Sequence, residues 1–196
     1  MKSHSTLLRT SLFFIAAFLL IQTNLTAQDI YGLAGDFSIQ IFGTSNVHDW
    51  EETANKVTGQ ARIQWNTDGS FNVLALDLNI DVKSIKSTKG SIMDNKTYEA
   101  LKADANPTIV FKLTSVLSNV KPGAIISARG DLKIAGVSKP VDLHVKVGGN
   151  NTTLVFEGAK KINMKEWNVS PPTAFMGAMK VGESVELKFK SSFHKK

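Results

Sequence analysis

The pair His48-Asp49 is the first place in this sequence where side chains could do chemistry. An imidazole beside a carboxylate is the raw material of a general base or a metal site. The partners such a site needs are missing. Of the four histidines, His4 lies in the N-terminal leader, His194 in the basic tail, and His144 alternates outward with Asp142 and Lys146. Zinc commonly takes three or four clustered ligands, and no spaced pair such as H-x-x-x-H occurs here. The absence of cysteine excludes disulfides, thiolate metal sites, thiol nucleophiles and a lipoprotein-type Cys anchor together. Serine is plentiful, but no G-x-S-x-G or similar nucleophile setting appears. The sequence thus predicts no catalytic residue, no metal and no cofactor. His48 is expected to make a structural hydrogen bond, worth on the order of 1 kcal/mol.

The stretch around the pair, from Gly43 to Glu52, joins two strand-like alternations and carries Trp50, one of only three tryptophans. A large aromatic at such a junction usually closes one end of a β core. Upstream, Lys2 and Arg9, an apolar run from Leu12 to Ile21 and the small-residue end Leu25-Thr26-Ala27 have the order of a secretory signal peptide. The apolar run is roughly half of the ~20 residues a membrane span needs, so cleavage before Gln28 is expected rather than a retained anchor. Residues 28–196 then form one domain. Of the 23 basic residues two, Lys2 and Arg9, leave with the leader; 21 remain against 17 acidic ones, a charge of +4. That excess is mild and unclustered, unlike a nucleic-acid-binding patch.

The elements that must position any site are mostly strands. Phe37, Ile39 and Ile41 share one face, and Val57, Gly59, Ala61, Ile63 and Trp65 share the next. After the Asp68-Gly69 turn come Leu74, Leu76, Leu78, Ile80 and Val82. Strict period-two patterning predicts antiparallel strands with one buried and one wet face. From Asp94 to Ala103 the period changes: Tyr98, Leu101 and Ala105 recur at helical spacing, Asp94 or Asn95 is placed to cap, and Asn106-Pro107 ends the run. A helix this short must dock, and an opening or an edge of the sheet is the expected place.

Alternation resumes in Ile109–Leu113, Ala128–Ile134, Val141–Val147, Leu154–Gly158 and Val185–Phe189, joined mostly by Gly-, Pro- and Asn-rich turns. The prediction is an all-β, eight-stranded antiparallel up-and-down barrel, lipocalin-like, with one short helix between strands. Short connections make neighbours antiparallel, and closure removes exposed edges. Periodicity leaves a β-sandwich open as the alternative.

Several stretches together resemble one family, the YceI-like proteins. They are Gly43-Thr44-Ser45 with His48-Asp49-Trp50, and the block Met93-Asp94-Asn95-Lys96-Thr97-Tyr98-Glu99-Ala100-Leu101-Lys102 running into Asn106-Pro107-Thr108-Ile109-Val110-Phe111. Gly130 to Val137 with Lys139-Pro140-Val141, and Trp167-Asn168-Val169 before Pro171-Pro172, complete the set. Glu166 stands where the family often has an aspartate. The resemblance covers about residues 36 to 191. It implies an exported, lipocalin-like barrel whose elongated apolar cavity takes a polyisoprenoid chain, without catalysis. It marks His48, Asp49 and Trp50 as a structural or mouth element.

The inward rows name the candidate lining of such a cavity: Ile39, Ile41, Trp50, Ala61, Ile63, Leu74, Leu76, Leu78, Ile80, Phe111, Leu132, Leu143, Val145, Phe156 and Leu187. Phe175 and Met176 join them from an apolar loop, since flexible Met side chains suit irregular ligands and loop packing equally. Gly59, Ala61, Ala128, Gly130 and Gly158 are small and inward, which argues for empty volume; strand glycines also serve closure. Lys160, Lys161, Lys165, Lys188 and Lys190 could steer an anionic headgroup, or simply be solvated. The function expected is an exported carrier of a long isoprenoid-type lipid, a polyisoprenoid or isoprenoid quinone. It would touch membranes transiently if at all. A filled barrel acting as an envelope interaction module, with no small ligand, is the alternative, and an enzyme stands third.

Overall fold

The computed structural model describes residues 28–174 and 177–196. Residues 1–27, read above as a signal peptide, and Phe175 and Met176 of the expected lining lie outside the described residues. The eight predicted strands are present, several of them interrupted. β1 consists of Asp29–Leu33 and Ser38–Ser45, and β2 of Trp50–Ala54 and Val57–Trp65. β3 consists of Phe71–Asp81 and Ile85–Ser87, separated by a 3₁₀ turn at Val82–Ser84. The helix α1 spans Ser91–Ala100. β4 joins Thr108–Leu113 and Leu117–Val120, followed by β5 (Ile125–Ile134), β6 (Val137–Gly149), β7 (Thr153–Asn163) and β8 (Met179–Lys195).

Each strand pairs antiparallel with the next in sequence, and β8 closes the ring on β1. Its C-terminal part pairs Phe193 with Leu33, while its earlier part pairs Phe189 with Ile39. The ring has no free lateral edge along that seam, as closure requires. The β5–β6 hairpin turns on Ala135 (φ 47°) and Gly136 (φ 85°), the two left-handed positions of a tight primed turn.

Irregularities decide what faces inward. Arg62 pairs with Ala75 but Ile63 pairs with Val73, so β3 carries one extra residue at Leu74. A bulge of this kind shifts the side-chain parity by one. Phe71 and Val73 therefore point inward before it, and Leu76, Leu78 and Ile80 after it. Leu74, expected to lead the inward row, is the residue the bulge takes out of it. A second departure lies between β6 and β7, whose pairing stops at Val145–Gly158. Their remaining halves diverge, and the 3₁₀ turn Met164–Trp167 fills the gap with Trp167. The Trp167 indole N–H donates to the Leu132 carbonyl at 3.0 Å, and the Lys160 ammonium donates to the Asp142 carbonyl at 3.1 Å. Lys160 thus bridges β7 to β6 where their ladder is absent, while Trp167 anchors the turn to β5.

One end of the barrel is packed solid. Tyr31, Ile63, Phe71, Val73, Val147, Leu154 and Phe193 are fully buried there. The Tyr31 hydroxyl donates to the Asn151 carbonyl at 2.6 Å and accepts from the Trp65 indole at 2.9 Å. Phe156 meets Phe193 edge-on at 5.8 Å, and Trp65 leans on Phe71 at 4.8 Å.

The helix departs from expectation at its start. It begins three residues before Asp94, after Gly90 at φ 86°, and no side chain caps it. Asp94 is instead buried within the helix, accepting from the Ser87 backbone N–H at 2.8 Å and pairing with Lys86 at 3.0 Å. These bonds tie the helix to the end of β3. Desolvation opposes the Asp94 charge, yet the Ser87 N–H and the Lys86 ammonium outweigh it and hold its carboxyl below the ordinary range. Tyr98 fastens the next turn: its hydroxyl lies 2.8 Å from the Lys83 carbonyl and 2.9 Å from that of Ile85.

Candidate functional site

The inward residues of the other half of the barrel enclose a cavity of about 220 Å³ with an almost wholly apolar wall. Its long sides come from Ile39 and Ile41 on β1, Leu76, Leu78 and Ile80 on β3, Phe111 on β4, Leu132 on β5, Leu143 and Val145 on β6, Phe156 on β7 and Leu187 on β8. Trp50 of β2 stands in the wall as well. All of these were in the predicted inward rows. Ala61 and Ile63 were too, but both are buried in the packed cluster at the closed end and do not border the cavity. Leu74 is also outside it, for the bulge already described.

The inward glycines do not provide the volume. Each is roofed by a large neighbour lying flat on the wall. A Cβ on Gly130 would stand 2.4 Å from the Phe111 ring, and one on Gly158 would stand 2.8 Å from the Phe189 ring. At Gly43 it would stand 2.1 Å from the Trp50 indole, and at Gly59 2.7 Å from Leu78. The glycines keep bulky side chains against the wall, and so out of the lumen. Gly43→Ala should swing the Trp50 indole into the mouth and cost about 1–3 kcal/mol, the range for overpacking. Since the three nearest atoms all belong to Trp50, most of that cost should vanish in a Trp50→Ala background. Thermal unfolding of the four proteins of the cycle checks this.

The mouth is formed by α1, through Met93, Thr97, Ala100 and Leu101, and by Met164, Pro172, Met179 and Val181, with the buried Trp167 in the wall beside it. The helix thus covers an opening, as expected of a helix too short to stand alone. Trp50 is pinned at the rim by its indole N–H donating to the Thr44 carbonyl at 3.1 Å. His48 and Asp49 are exposed in the β1–β2 turn. The hydrogen bonds there run through the main chain of His48 and the Ser45 hydroxyl, at 2.7 and 3.1 Å, and not through the imidazole. Among the described residues no group of three His, Cys, Asp or Glu side chains could hold a metal.

Sequence reasoning missed Glu52. It follows Trp50 in the inward parity of β2, is only 2% exposed, and borders the cavity. The Thr97 hydroxyl on α1 donates to its carboxylate at 2.5 Å, and no cation pairs with it among the described residues. Burial pushes its pKa up; the Thr97 bond pulls it back and the nearby Asp94 charge adds to the rise. The sign of the stability effect follows. A carboxyl whose folded pKa is raised stabilises the fold below its ordinary value of 4.5, and that contribution is lost as pH climbs through the folded pKa. Glu52→Gln should match the wild type in thermal midpoint below that value and exceed it increasingly above. Equal midpoints at all pH values would contradict the burial argument.

Of the five lysines weighed between headgroup steering and a solvated face, three are engaged with protein groups. Lys160 points inward, with its ammonium on the Asp142 carbonyl. Lys165 pairs with Glu183, and Lys188 with Glu186 while lying over Phe42. The Ser191 hydroxyl at the cavity floor is buried without a hydrogen-bond partner.

No curated protein matches the chain. Among solved structures it is similar to BcnA of Burkholderia cenocepacia, with 20% identity and a TM-score of 0.62, over 80% of this chain and 95% of that one. It is similar to a polyisoprenoid binding domain from Saccharophagus degradans, with 13% identity and a TM-score of 0.67, over 85% and 98% of the two chains. A Campylobacter jejuni YceI protein aligns at 20% identity and a TM-score of 0.58, over 74% and 84%. Identities this low carry the fold alone. The sequence itself matches the model of the YceI-like domain over residues 6–193, and the chain therefore belongs to the YceI-like family.

Proposed function

We propose that this protein is exported and holds a long apolar lipid, a polyisoprenoid or an isoprenoid quinone, in its barrel cavity for transport or sequestration. The observation that carries the reading is the half-hollow barrel. One end is packed as a core, while the other keeps an enclosed space lined by aliphatic and aromatic side chains. Each buried CH₂ favours such a site by about 0.8 kcal/mol, so a many-carbon chain can outweigh the ordering costs of binding. The mechanism is passive: no bond is made or broken. The similar structure from Saccharophagus degradans is a polyisoprenoid binding domain, which agrees with this chemistry.

The test is mass spectrometry of organic extracts from protein purified out of its native envelope. A co-purifying isoprenoid at near-stoichiometric amount is expected; an extract without lipid would leave the filled-module alternative. Export is checked separately. N-terminal sequencing of the envelope-fraction protein should begin at Gln28, and a start at Met1 would refute cleavage.

A further inference from the structure

Around the cavity mouth the charges are sorted unevenly. Lys86 is held by Asp94 and by the Tyr98 hydroxyl, at 3.0 and 2.7 Å. Lys96 borders the cavity, but its ammonium bonds Glu99 at 2.9 Å. Lys160 borders it further along, with its ammonium on the Asp142 carbonyl. Glu52 alone is both buried in the wall and without a counter-ion among the described residues, its bond coming from the Thr97 hydroxyl. A carboxyl in an apolar wall is costly unless something polar meets it. The fold itself offers no reason for an acid here, because an aliphatic residue would complete the row between Trp50 and Ala54.

We propose that Glu52 and Thr97 form the headgroup subsite of the cavity, taking a neutral hydroxyl at the end of the apolar chain and turning away a phosphorylated one. Thr97 spends its proton on Glu52, which leaves its oxygen able to accept from a ligand. A ligand hydroxyl can donate to a carboxylate or accept from a carboxylic acid, so it fits either protonation state of Glu52. A diphosphate brings several negative charges against Glu52 and the neighbouring Asp94, with the nearest ammonium groups already committed. In a low-dielectric pocket that repulsion is strong.

The inference rests on the lipid-carrier reading, and one experiment separates their failures. The delipidated protein is titrated with geranylgeraniol, with its diphosphate and with the parent hydrocarbon. The fluorescence of Trp50 and Trp167, which both border the cavity, is followed. The wild type should bind the alcohol about tenfold or more tighter than the hydrocarbon or the diphosphate, the factor expected of one charge-assisted hydrogen bond. Glu52→Leu should erase the advantage of the alcohol over the hydrocarbon while hydrocarbon binding stays. Glu52→Gln should narrow the gap between alcohol and diphosphate. Thr97→Val should weaken the alcohol alone, and it decides the matter if Glu52→Leu fails to fold. A diphosphate that binds the wild type as tightly as the alcohol overturns the subsite, as does equal weakening of alcohol and hydrocarbon in the variants. If no probe binds the wild type, the carrier reading falls and the subsite with it.

Discussion

Leu76→Trp is expected to give a protein that folds about as stably as its parent yet carries little lipid. Leu76 stands just past the bulge on β3, directly opposite the small Ala61, with its side chain half-buried in the cavity wall. Leu76 packs on the edge of the solid end but faces the cavity, so an indole there has the lumen to extend into. The same substitution at the packed end tells the opposite story. Ile63 is fully enclosed among Tyr31, Phe71, Val73 and Phe193, and Ile63→Trp must displace close-packed neighbours. Overpacking of that kind costs about 1–3 kcal/mol and occasionally more. Thermal unfolding of the delipidated proteins, read beside the lipid that each retains on purification, distinguishes the two ends. If Leu76→Trp lost as much stability as Ile63→Trp, and the parent retained no lipid, the barrel would be filled throughout.

That contrast also marks how far the sequence could be read. Period two made the eight strands and their inward rows legible, because a half-buried sheet writes its faces into the chain residue by residue. Closure was an inference from short connections, and it held because β8 pairs directly with both segments of β1. The limit came where one residue changes parity. Nothing in Val73-Leu74-Ala75 announces a bulge, since all three residues are apolar and any of them fits the inward face. The same blindness hid the division into packed and hollow ends. Ala61 and Ile63 share a strand and a face with Gly59, and only the three-dimensional neighbours decide which half each occupies.

Glu52 was legible in principle, as an acid in an inward row, but Trp50 and His48 drew the reading to that stretch for other reasons. The glycines taught the reverse lesson. Their inward register was read correctly, yet the space above each is taken by a ring or a leucine from the adjacent strand. Small residues in a barrel wall therefore report where large ones lie flat, and volume in the lumen follows indirectly.

The largest stability effect should come from Trp167→Ala. The side chain is 3% exposed and packs with Leu132, Ile134, Val141, Ile162 and Val169 in a second core cluster. Truncating a buried tryptophan typically costs about 3–5 kcal/mol, a large share of the roughly 5–15 kcal/mol that holds a domain together. Here the loss has a second part. β6 and β7 no longer pair beyond Val145 and Gly158, and Trp167 both fills that gap and donates to the Leu132 carbonyl. Removing it leaves an opening in the wall of the cavity, so water and ligand gain a side route. Faster lipid loss should therefore accompany the lower stability. Trp167→Phe separates the contributions, because a ring still plugs the gap while the indole hydrogen bond is gone. It should recover most of the stability and nearly all of the slow release, leaving a deficit of about 0.5–1.5 kcal/mol for the lost indole hydrogen bond. Denaturant unfolding and the rate of lipid transfer to acceptor vesicles measure the two quantities independently. Should Trp167→Ala release lipid no faster than the parent, the turn would be packing for the β6–β7 divergence and no part of the cavity's seal.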